Sequence, residues 1–166
     1  MDAIVGAASS LIGVFVGAYL SRLLADRQRR LTTTFDLHRE LHSADMIRAR
    51  YAAAGIIAEH PGADYVQLQE QLGSEGISDL RQVIYFFQRL WIAIEHNALR
   101  NEYVPRLFGD TFSWWYEATF HANLVSTETE VGQDIQALHR WLSDNATPAQ
   151  TATWRGADRD VWRPSR

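Results

Sequence analysis

From Ala3 to Ser21 the chain runs through 19 consecutive uncharged residues, most of them Ala, Val, Ile, Leu, Gly or Phe. Roughly 20 apolar residues at about 1.5 Å each cross a hydrocarbon core about 30 Å thick. The expectation is a transmembrane helix. A signal peptide would carry positive charge ahead of its apolar stretch, yet only Asp2 precedes this one, and Arg22, Arg27, Arg29 and Arg30 all follow it. A core helix of a water-soluble domain would not need an arginine cluster at one end. Basic residues accumulate on the cytoplasmic side of a span, and an aromatic ring near the boundary is favoured there. The four arginines and Tyr19 therefore place the rest of the chain in the cytoplasm. The same arginines are the expected membrane-surface residues, with lipid as their partner.

Inside the run, small residues fall at Ala3, Gly6, Ser10, Gly13 and Gly17. Steps of three and four keep them on one helical stripe. Bare stripes of this kind let a second helix approach closely and gain dispersion contacts. They mark packing against another copy of the chain or against a different transmembrane protein.

The mean hydropathy is mildly negative, so a membrane segment has to be local. From Leu31 to Asp144 there are eight arginines against sixteen acids, a net of −8, whereas Ser21–Arg30 carries +3. An acidic body argues against nucleic acid, which needs clustered positive charge. With no cysteine, disulfides, thiolate zinc sites and cysteine catalysis are excluded.

The remainder reads as all-α, since no stretch alternates with period two long enough to make a strand. Ser21 to Leu41 extends the span as a stalk, weakened by Thr32, Thr33 and Thr34. Ser43 is the expected N-cap of a helix to Glu59, stopped by Pro61 and Gly62. A short helix from Asp64 to Leu72 should close at Gly73. Ser78 should cap the central helix, Asp79 to Leu99, the most apolar stretch of the body, carried by Val83, Ile84, Phe86, Phe87, Leu90, Trp91, Ile94 and Leu99. A short turn containing Pro105 should close at Gly109. Asp110 should cap a helix from Thr111 to Leu124, and a last helix spans Glu128 to Trp141. The layout is thus a membrane anchor over 1–24, a juxtamembrane stalk over 25–42, a helical domain over 43–144 and a loose Arg/Trp tail over 145–166. Trp154 and Trp162 in that tail can bind lipid or dock on the acidic body.

The segments FFQRLWIAIEHNAL, EYVPRLFGD and FSWWYE, within Val83–Asn123, are similar to a bacterial domain-of-unknown-function family. LHRELHSADMIRARYAA, Leu37 to Ala53, resembles its first soluble helix. The family comprises small helical proteins, often with an N-terminal membrane span. The resemblance implies a helical fold and no known activity, and it supplies no catalytic residues; the apolar run and its arginines make a bacterial inner membrane the expected location.

Candidates for chemistry are few. His38 and His42 lie one turn apart and could share a metal, but HRELH is not HExxH and no third ligand is evident. Glu95/His96 and Glu117/His121 are carboxylate–histidine pairs of a kind that orients an imidazole. Without a nucleophile, phosphate loop or metal they read as polar pairs fixing helix register. Trp114 and Trp115 read as core and interface. No cofactor is expected. The leading reading is a membrane-anchored helical interaction module, a homo-oligomer or an accessory subunit of a membrane complex. The rivals are a membrane-bound enzyme using one of the histidine pairs and a membrane-perturbing effector of a toxin or phage-defence system.

Overall fold

The computed structural model describes the backbone of residues 2–120 and 124–156 and the side chains of 19–117, 120 and 124–154. Among the described residues there are seven α-helices and no strand: α1 Asp2–Leu41, α2 Ala44–Glu59, α3 Tyr65–Gly76, α4 Ser78–Glu95, α5 Val104–Trp115, α6 Glu130–Asn145 and α7 Pro148–Gly156. A 3-10 turn, Asn101–Tyr103, leads into α5, and a π turn, Tyr116–Phe120, leads out of it.

Ser43 caps α2 as expected. Ser43 Oγ accepts from the Met46 amide at 3.2 Å and starts α2. Asp64 and Gln67 bond each other's backbone amides, a capping box that starts α3. Each such bond satisfies an amide that the first helical turn leaves open. α4 is the central helix: Leu80, Val83, Ile84, Phe86, Phe87, Leu90 and Ile94 are all buried. α2 packs against α4 through Met46, Ala49 and Ala53, and α6 through Ile135, Leu138 and Leu142. Gln88 of α4 donates to Asp134 of α6 at 2.9 Å. Phe87 meets Phe112 edge-on at 5.1 Å, and Phe86 packs beside Phe108. α5 therefore closes the core with its aromatic face.

Several boundaries differ from the sequence expectation. Gly73 does interrupt α3 after Leu72 as expected, leaving the helical region at φ 71° and ψ 173°, but a further short turn carries on across this kink to Gly76. Ser78 is the first residue of α4 rather than its cap, because the fully buried Ile77 holds the cap position. α4 stops at Glu95 instead of Leu99, since Asn97 turns the chain at φ 52°. Asparagine is among the few side chains that tolerate that region. Leu99 then reaches the core from the loop.

The largest correction concerns α5. Gly109 and Asp110 neither end nor start a helix, and α5 passes straight through them. A Cβ on Gly109 would fall 2.0 Å from Cζ2 of Trp154. The glycine is a notch that seats an indole, not a stop. Correspondingly, the tail is not loose over Pro148–Gly156: α7 packs on α5 through this contact. α6 begins at Glu130 behind Thr129, whose Oγ1 accepts from the Gly132 amide at 3.1 Å.

No helix among the described residues is long and apolar enough to cross a membrane. Most of the expected span, residues 3–18, lies outside the described side chains.

Candidate functional site

From Thr34 onward α1 packs against the rest of the bundle. Thr33 and Thr34 each donate a hydroxyl to the carbonyl four residues back, at 3.0 and 2.8 Å. Such back-bonding lets a threonine sit within a helix without exposing a bare hydroxyl. Thr34 is fully buried, and its Oγ1 also accepts from the Arg100 amide at 2.9 Å. One residue of the weakening threonine run is thus the polar link between α1 and the turn after α4. Around it, Phe35 lies beside Tyr103, His38 meets Phe108 edge-on at 5.9 Å, Leu41 is fully buried, and Glu40 pairs with Arg89.

Ahead of Thr34, α1 is exposed. Tyr19 and Leu24 are 64% and 66% accessible, and Leu20 and Leu23 are also exposed. Arg22, Arg27, Arg29 and Arg30 all face solvent. Between this part of α1 and the loop after α4 lies a cleft of about 390 Å³. Leu23, Asp26, Arg27 and Arg30 line one wall; Asn97, Leu99, Arg100, Asn101 and Glu102 line the other. Arg100 Nε donates to Glu102 Oε1 at 2.8 Å. That bond, then the backbone amide of Glu102 and the nearby charges of Arg100 and Arg27, hold the Glu102 carboxyl below its ordinary range. Glu102 therefore stays ionised, and Arg27, Arg30 and Arg100 against Asp26 and Glu102 leave a formal net charge of +1 on the lining.

The other expected sites separate. The stripe Ala3, Gly6, Ser10, Gly13 and Gly17 lies outside the described side chains, as do His121 and Trp162. His38 and His42 do come together, with ring centroids 4.5 Å apart. No third ligand joins them: among the described residues no cluster of three metal-binding side chains exists. Desolvation, then His38, then Arg50 push the His42 imidazole below its ordinary value. Glu95 and His96 are exposed at the end of α4, and Glu117 is exposed in the π turn. Trp115 is buried, Trp114 is partly buried, and Trp154 docks on the body.

A second, wider cleft of about 650 Å³ opens between α3, α4 and residues 124–131. Arg81 Nε donates to Tyr65 Oη at 3.0 Å on its wall. Its other lining groups include Asp64, Ser126, Thr127, Glu128 and Thr129, hydroxyls and carboxylates without a histidine or metal-ligand set.

Sequence reasoning overlooked Arg100, Asn97 and Asn101, which reach the cleft only because α4 ends early. The asparagines flanking Leu99 and Arg100 were the available signal, since this residue favours turns over helix interiors. No family model, no curated protein and no solved structure matches this chain.

Proposed function

We propose that this chain is a membrane-anchored helical interaction module, held by one N-terminal helix with its body on the cytoplasmic side. The observation that carries the reading is the exposed apolar set Tyr19, Leu20, Leu23 and Leu24 on α1, interleaved with and followed by exposed arginines. A water-soluble helix buries such a set, whereas an interfacial one presents it to acyl chains and places its arginines among headgroups. The sequence run Ala3–Ser21 supplies the length on the upstream side. The stripe Ala3, Gly6, Ser10, Gly13 and Gly17 supports close packing against a second copy or another transmembrane protein. Among the described residues neither cleft is lined by a histidine, which favours an interaction role over catalysis, where such groups converge on a pocket.

Carbonate washing of membranes from expressing cells tests the anchor. The full chain should stay in the pellet, and a chain lacking Met1–Arg22 should be released. Appearance of the full chain in the supernatant refutes the reading. Gly13→Ile with Gly17→Ile should leave the protein in the pellet but abolish a cross-linked or co-purifying species, while Val16→Leu retains it. Equal association in all variants would move assembly onto the cytoplasmic body.

A further inference from the structure

We propose that the cleft between α1 and the Asn97–Glu102 loop holds the phosphate of an acidic phospholipid, with Arg27, Arg30 and Arg100 as its cations. The proposal deepens the anchor reading and rests on it for the depth at which the cleft meets the bilayer.

Leu20, Leu23, Arg27, Arg30 and Thr34 are spaced three and four apart, so they form one stripe of α1. Leu23, Arg27 and Arg30 line the cleft, and Thr34 anchors its far end to the Arg100 amide. Polarity along this stripe changes in the order of an amphiphile: exposed leucines first, then two guanidinium groups, then a buried hydroxyl. An acyl chain lying over Leu20 and Leu23 places its phosphate at Arg27 and Arg30.

Charge and size agree with that occupant. Among the described residues, Arg27 and Arg30 take part in no ion pair within 4.0 Å, whereas Arg100 is held beside Glu102. Three arginines against Asp26 and Glu102 leave +1, matched by the single negative charge of a phosphatidylglycerol headgroup. Guanidinium forks pair well with phosphate oxygens. The volume of about 390 Å³ falls within the range of about 300–1,000 Å³ typical of small-ligand clefts. Arg27 and Arg30 lie six and nine residues beyond Ser21, about 9 and 13.5 Å along the axis, outside a headgroup layer about 5–8 Å thick but with side chains that lean back toward the helix N-terminus. A long side chain covers the difference.

Arg106 and Arg140 provide the control. They are exposed arginines like Arg27 and Arg30 but lie on α5 and α6 and do not line the cleft. The full chain in a non-ionic detergent is mixed with dioleoyl phosphatidylglycerol, dioleoyl phosphatidylcholine or inorganic phosphate, and retained ligand is read by native mass spectrometry. One phosphatidylglycerol should be retained with about tenfold preference over phosphatidylcholine. Arg27→Gln with Arg30→Gln should erase the preference, and Arg106→Gln with Arg140→Gln should keep it. Both pairs are on exposed positions, so folding is preserved. Equal retention of the two lipids, or equal loss in both double variants, overturns the cleft. Inorganic phosphate retained as well as phosphatidylglycerol overturns the lipid as its occupant. A chain that resists carbonate yet shows no lipid preference refutes the cleft and leaves the anchor standing. A chain released by carbonate that still prefers phosphatidylglycerol through Arg27 and Arg30 refutes the anchor and supports the cleft.

Discussion

Replacing Gly109 by alanine should destabilise the protein, although helix propensity argues the opposite. Alanine is favoured over glycine in a helix interior by about 0.5–1 kcal/mol, so α5 taken alone would gain. In the fold, the new Cβ lands 2.0, 2.5 and 2.6 Å from Cζ2, Cε2 and Cη2 of Trp154. Carbon contacts are comfortable at about 3.5–4.0 Å, so the ring has to retreat by about 1.5 Å or leave. An indole burying about 150 Å² contributes at most about 4 kcal/mol at about 25 cal/mol per Å². Undocking of α7 returns chain entropy, which leaves a net loss of about 1–3 kcal/mol. For a chain of this length the melting temperature should fall by about 2–4 °C per kcal/mol. Thermal unfolding followed by circular dichroism reads the loss, and amide exchange should show lost protection over 148–156. In a Trp154→Ala background the obstacle is gone, and Gly109→Ala should be neutral or stabilising by up to about 1 kcal/mol. A rise in melting temperature with Trp154 present, or the same effect in both backgrounds, would refute the notch.

Gly132→Ala should be harsher, because its Cβ would meet the Ser126 carbonyl oxygen at 2.1 Å. Backbone cannot swing aside as a side chain can, so a cost of about 2–4 kcal/mol is expected in denaturant unfolding, and a loss below 1 kcal/mol would contradict the geometry. Thr34→Val keeps the shape but leaves the Arg100 amide without its 2.9 Å acceptor, at a cost of about 1–3 kcal/mol. Arg100 should then lose amide-exchange protection, and unchanged protection would count against the link. His42 is held below its ordinary value of 6.5 by desolvation, His38 and Arg50. The unfolded chain therefore takes up this proton first, so the associated stability is complete above about pH 6.5 and is lost as pH falls through the folded value. His42→Gln should flatten the decline of melting temperature below that pH, and an unaltered slope would remove His42 as its cause.

Features encoded within a few residues of one another were legible before any fold was known. Ser43 reaches Met46, and Asp64 reaches Gln67, through bonds that span three residues and need nothing else. α4 announced itself because its buried positions repeat at helical spacing and its apolar residues have no other place to go. The arginines after the apolar run were equally plain, since a charge cluster beside an apolar stretch is a local property. Tertiary structure decided what depended on distant partners. Gly109 reads as a helix stop until Trp154, 45 residues later, fills the space a Cβ would occupy. Thr34 reads as a poor helix former until the Arg100 amide arrives to use its hydroxyl. The cleft exists only because Asn97 turns the chain and carries Arg100 back to Arg27 and Arg30. Composition and periodicity set which faces must be buried. Which residue meets which across the bundle follows from packing, where a single missing Cβ or one buried hydroxyl selects the neighbour.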